Sequence, residues 1–141
     1  MTTHRDFIEI WFRRVWADQD ASAIDELMAE DCPIGLRNQT IVDRAAFKAF
    51  HQALLSHMSK IELTVDKSVE DGPWFSAICT VHATARASGQ DFTFTGQVFG
   101  RIEDGLIREG YNHFDFIAMF EHLDLMPAGS FETALSGQRI A

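Results

Sequence analysis

Phe92-Thr93-Phe94-Thr95-Gly96-Gln97-Val98-Phe99-Gly100-Arg101-Ile102-Glu103-Asp104-Gly105-Leu106-Ile107-Arg108-Glu109-Gly110-Tyr111-Asn112-His113-Phe114-Asp115 is the stretch that decides the fold. Phe92, Phe94, Gly96 and Val98 alternate with Thr93, Thr95, Gln97 and Phe99, the period of two expected of a half-buried strand. The turn at Glu103-Asp104-Gly105 then leads into a last long strand, Leu106 to Phe114. Upstream, Ile61, Leu63 and Val65 alternate with Glu62, Thr64 and Asp66 until Asp71-Gly72-Pro73. Trp74 to Ala87 is rich in Thr, Val and Ile and stops at Ser88-Gly89. Closely spaced strands with glycine-containing turns predict an antiparallel meander.

The first half carries a helical period instead. Phe7, Ile8, Trp11, Phe12, Val15 and Trp16 recur at helical spacing, with Arg5, Asp6, Glu9, Arg13 and Arg14 filling much of the other face. Asp20 is an N-cap candidate for a short second helix that stops near Asp31, before Pro33. Pro33, Gly35 and Asn38 permit only short strands and turns up to Ile41. Asp43 caps a third helix, with Ala46, Phe47, Phe50, Ala53, Leu54 and Met58 on one side and an end near His57. Ile117 to Leu123 predicts a terminal helix closed by Pro127, and Ala128 to Ala141 reads as a tail with at most one loose helical turn. Helices first and long strands after, within one domain, give an α+β fold: a curved, mainly antiparallel sheet with helices on one face.

Composition narrows the function. The 141 residues carry 12 Lys+Arg against 21 Asp+Glu, a net charge of -9. Such a chain repels phosphate backbones and anionic headgroups, so neither nucleic acid nor a membrane surface is an expected partner. No stretch reads as a signal peptide or membrane span, and the expected location is the cytoplasm. The two cysteines, Cys32 and Cys79, lack a CxxC pairing and read as reduced structural thiols. The 12 Phe and 3 Trp, with 1 Tyr, supply either a Phe-rich core or an aromatic-lined pocket for a small apolar or aromatic ligand.

None of the 6 histidines belongs to an HExxH or a Cys/His cluster, so no metal is expected. No GxGxxG, P-loop or GxSxG pattern occurs, and no cofactor is implied. Chemistry therefore concentrates at the exit of the last strand. Strand alternation puts Tyr111, His113 and Asp115 on one face and Gly110, Asn112 and Phe114 on the other. If the first face looks into an aromatic cavity, desolvation raises the Asp115 carboxyl and His113 orients it or the substrate. His82, mid-strand between Val81 and Ala83, is a further candidate for the same cavity. Asp115 also stands where an N-cap belongs, directly before Phe116-Ile117-Ala118-Met119.

Two segments carry a family resemblance. Trp16-Ala17-Asp18-Gln19-Asp20 followed by Leu27-Met28-Ala29-Glu30-Asp31 is one, and Arg101 to Glu109 running into Phe114-Asp115 and Phe120-Glu121-His122-Leu123 is the other. Over about Thr3 to Pro127 the chain resembles the SnoaL-like polyketide cyclase group of the nuclear transport factor 2-like superfamily, departing from it in its His122-Leu123-Asp124 ending. The resemblance implies a domain over residues 1–127 with a tail over 128–141, and a cone enclosing an apolar pocket. It also implies a homodimer formed through the sheet. It gives Asp115 the part of general acid/base in a cofactor-free ring closure. On strand geometry His113 and His82 join Asp115, and Phe12, Trp16, Phe99 and Tyr111 line the cavity. The related ketosteroid isomerases differ: their oxyanion tyrosine, carboxylate base and protonated aspartate correspond to Phe12, the Cys32-Pro33-Ile34-Gly35 region and Val98. The expected function is a cofactor-independent cyclase, isomerase or lyase acting on an apolar carbonyl compound. Its alternative is a non-catalytic carrier of the same ligand.

Overall fold

Six strands form one sheet in the order β2-β1-β6-β5-β4-β3, in a computed structural model that describes residues 3–41 and 43–141. Met1, Thr2, Val42 and the side chains of Gln39 and Ile41 lie outside the described residues. The strands are β1 Ile34–Leu36, β2 Gln39–Ile41, β3 Met58–Asp71, β4 Trp74–Ala85, β5 Asp91–Glu103 and β6 Leu106–Phe114. Between these strands β1 against β6 is parallel and the other pairings are antiparallel, and Met28 adds an isolated parallel bridge to Ile107. The meander read from period-two alternation is the main body of the sheet. The sheet stays open, as a curved wall rather than a closed barrel.

Bulges bend that wall, because an extra residue on one strand increases local twist and turns the strand. Register breaks occur on β3 between Met58 and Lys60 and between Val65 and Lys67. A further break decides the site. Ile102 pairs with Ile107 but Arg101 pairs with Glu109, so one step on β5 faces two on β6 and Arg108 is the additional residue. Ile107 and Gly110, three positions apart, consequently share the concave face.

Helices α1 His4–Trp11, α2 Ala21–Leu27 and α3 Arg44–Leu55 cover the concave face, followed by α4 Phe116–His122 and α5 Ser130–Leu135. Their starts follow the capping rule. Thr3 and Asp6 form a capping box, and Asp20, Asp43 and Asp115 each accept a backbone N–H in the first turn. The core runs along both layers, from Ile8, Trp11 and Val15 to Phe75, Cys79, Val81 and Phe94.

Four elements differ from the sequence expectation, the first being α2, which ends at Leu27 rather than near Asp31 because Met28 is already extended and bridges Ile107. The first helix is α-helical only to Trp11 and continues as a π-helix over Phe12–Ala17, where the Asp18 N–H donates to the Arg13 carbonyl at 2.7 Å. This wider turn keeps Phe12, Val15 and Trp16 all buried. β3 begins at Met58, three residues before the alternation is visible, because the fully buried Met58 pairs with Ala85. The tail holds α5, tied down by the buried Ser130 and by the Phe131 N–H donating to Glu121 at 3.1 Å. Among the described residues, no helix is long and apolar enough to cross a membrane.

Candidate functional site

Between the helices and the concave face lies a cavity of about 80 Å³. Its wall is a succession of aromatic rings. Trp16 meets Phe47 edge-on at 6.4 Å between centroids, Phe47 meets Phe50 at 6.1 Å, and Phe50 meets Phe116 edge-on at 6.3 Å. The sheet completes the circuit through Phe114, 6.4 Å from Phe116 and 6.3 Å from Phe94. Tilted and edge-to-face contacts of this kind are each worth about 0.5–1.5 kcal/mol beyond burial and fix ring orientation. No Asp, Glu, His, Lys or Arg lines the cavity among the described residues.

Phe12 and Trp16, expected at the cavity, are on its wall. Phe99 and Tyr111 border it where Gly100 and Gly110 face each other without side chains. Their rings, however, are solvent-exposed and pack against each other on the outer face, centroids 6.2 Å apart. Tyr111 donates its hydroxyl to Glu109 at 2.8 Å, and Glu109 also accepts from Arg101 at 3.1 Å. These two bonds hold the Glu109 carboxyl below its ordinary range, and the carboxylate in turn raises the Tyr111 phenol.

His82, His113 and Asp115 are exposed and stand on the opposite side of the sheet from the cavity or at its rim. His82 is opposite Thr93 and His113 opposite Gln97 on β5, four positions apart and on the order of 13 Å along the strand. The structure does not bring the two imidazoles together. Asp115 caps α4, accepting from the Ala118 N–H at 3.0 Å. Removing that bond with Asp115→Ala is expected to cost about 1 kcal/mol, and Asp115→Asn almost nothing, since an amide oxygen caps as well. Thermal denaturation of the two variants checks this; equal losses would remove the cap from the account.

Beyond the bulge, alternation identifies Asn112 and Phe114 as β6 side chains that join Ile107 in facing the cavity. Asn112 is the side chain that sequence reasoning passed over. The parity of β6 separated it correctly from His113, but only the bulge at Arg108 tells which face is concave. Cys32 and Cys79 are fully buried, and burial pushes each thiol up to about 12, so neither is a nucleophile near neutrality.

Behind the aromatic wall, the buried His51 packs on Trp16 at 4.8 Å and donates its Nε2–H to the Val15 carbonyl at 2.7 Å. Burial lowers its pKa, an effect the Val15 bond partly opposes. The unfolded chain therefore takes up this proton more readily than the folded one, and stability falls as pH drops through the unfolded value of about 6.5. His51→Gln keeps a donor without the titration. The wild type is expected to lose more stability than this variant between pH 7.5 and 5.5 in urea denaturation. Parallel profiles would count against His51.

Comparison with known proteins agrees with this architecture. Residues 8–110 match the family described as SnoaL-like domain. No curated protein matches the chain. A protein from Jannaschia sp. CCS1, provisionally described as a SnoaL-like polyketide cyclase, is similar at 17% identity, over 86% of this chain and 92% of that one, with a TM-score of 0.74. AclR from Streptomyces galilaeus, provisionally described as a hydroxylase, is similar at 16% identity over 96% and 92%, with a TM-score of 0.75. A nuclear transport factor 2-like protein of unknown function from Exiguobacterium sp. 255-15 is similar at 22% identity over 77% and 98%, with a TM-score of 0.65. At these identities the likeness establishes the fold, and one fold here carries different described activities.

Proposed function

This chain belongs to the SnoaL-like domain family, and from that membership we propose that it takes up a neutral, largely apolar small molecule, an aromatic carbonyl compound, in the aromatic cavity. The observation that carries this reading is the wall itself: rings from both layers surround an open space, and no charged side chain is present among its described lining residues. An ionised ligand would lose its hydration there without gaining a counter-charge. Aromatic rings offer large apolar contact with fixed orientation, which suits a planar ligand.

Aryl ketones of increasing size test this, beginning with acetophenone and 2-acetylnaphthalene. Binding is read as quenching of tryptophan emission, because Trp11 and Trp16 are on the wall. Gly110→Ala supplies the control. A Cβ there would lie 3.7 Å from Ile34 Cδ1 and 3.8 Å from Ile107 Cγ2, in ordinary contact, so the variant folds while occupying ligand space. It is expected to bind 2-acetylnaphthalene roughly tenfold more weakly, within the range of overpacking penalties. Ketones that leave emission unchanged, or bind both proteins equally, would overturn the reading.

The descriptions of the Jannaschia and Streptomyces proteins support a second reading, in which the ligand is converted as in a cyclase or hydroxylase. For Asp115, His113 or His82 to move a proton, the ligand must extend from the cavity to the sheet rim. Asp115→Asn separates the readings: a carrier releases its ligand unaltered with either protein, whereas an Asp115-dependent enzyme forms product only with the wild type. The reading also includes a second copy on the outer sheet face, where Val69, Ile78, Phe99 and Tyr111 are exposed. Sedimentation at micromolar concentration tests it, a 15.9 kDa species counting against a dimer.

A further inference from the structure

We propose that Asn112 is the anchor of the cavity, a specificity-determining residue whose carboxamide hydrogen-bonds a neutral oxygen of the ligand. The inference rests on the binding reading above and deepens it. Asn112 lies in the middle of a sheet face that is otherwise apolar: its partner on β5 is Val98 and its partner on β1 is Leu36, both buried and both on the cavity wall. Its inward neighbours on β6 are Gly110 and Phe114.

The carboxamide makes no hydrogen bond to any described residue, yet it is not sealed in packing. Among the described residues, no buried side-chain nitrogen or oxygen is left without a partner. Asn112, a half-buried residue, is on the cavity wall, the one lining side chain there that carries an amide among the described residues. Asparagine is also a poor strand residue, and a valine or leucine at this register would satisfy both propensity and packing better. A local rule broken at one position of an otherwise consistent strand is what a binding requirement leaves behind. The amide offers two donors and one acceptor oxygen to a neutral group. A ketone oxygen accepts from the amide N–H, while its carbon skeleton lies against the rings.

The test compares 2-acetylnaphthalene with 2-isopropylnaphthalene, which has nearly the same shape and no oxygen, on the wild type and on Asn112→Leu. A buried donor left without an acceptor is penalised more than a formed bond gains. Replacing Asn112 by leucine is thus expected to lower the ketone-to-hydrocarbon affinity ratio roughly tenfold, by weakening the ketone and strengthening the hydrocarbon. Asn112→Val, smaller and well suited to a strand, repeats the comparison should leucine disturb folding. An unchanged ratio with both ligands still binding would overturn the anchor and leave the cavity reading intact. Binding of neither ligand to the wild type would overturn both.

Discussion

Replacing Phe47 with alanine is expected to destabilise the protein by about 3–5 kcal/mol, the cost of truncating a fully packed aromatic residue. Phe47 is 4% exposed and joins the helical half of the aromatic wall, with Trp11 at 5.9 Å, Trp16 at 6.4 Å and Phe50 at 6.1 Å. Its removal deletes three ring contacts at once and enlarges a cavity already open, so the neighbours have little to collapse upon. For a domain of this size the melting temperature should fall by roughly 10–20 °C. Phe47→Leu, nearer in volume, should cost less than about 1.5 kcal/mol. At a temperature where Phe47→Ala is still folded, the enlarged space should accept a three-ring ketone that the wild type excludes. A loss below about 1 kcal/mol, with unchanged ligand size limits, would show that Phe47 neither supports the wall nor bounds the cavity.

The same wall shows why some of the site was legible and some was not. Phe12 and Trp16 sit on a helix whose 3.6-residue period needs no knowledge of partners, so their burial could be read directly; the π-turn between them preserves the face. Asp20, Asp43 and Asp115 cap helices, as their local context requires. Strand faces are a different matter. Counting in twos from the buried Ile107 places residues 109, 111, 113 and 115 on the concave side. Arg108 is an extra residue in the ladder and shifts that count by one, moving Gly110, Asn112 and Phe114 inward. A bulge of this kind is set by pairing with β5, a tertiary event, and Arg108 carries no local mark of it. Tyr111 and His113 alternate with Asn112 on β6, and the bulge decided that their face looks outward, while Asp115 stands beyond the end of the strand as the cap of α4.

Gly96→Ala is expected to be the most disruptive single-methyl change in the sheet, costing about 3 kcal/mol and weakening ketone binding more than tenfold. Gly96 pairs with Phe114, whose ring lies directly across it: a Cβ at position 96 would be 2.0 Å from Phe114 Cδ1 and 2.4 Å from Cγ. The penalty is steric rather than conformational, because Gly96 does not have a positive φ and alanine can take its backbone geometry. Phe94 and Phe116 flank the Phe114 ring at 6.3 and 6.4 Å, so the displaced ring has the cavity as its exit. It would then occupy the space a ligand needs, which couples the stability loss to the binding loss. Combining Gly96→Ala with Phe114→Ala should therefore cost about 2 kcal/mol less than the two single changes added together. Strict additivity in that double-mutant cycle would mean that Phe114 is not held in place by the missing side chain at Gly96, and that the cavity owes its width to something other than this glycine.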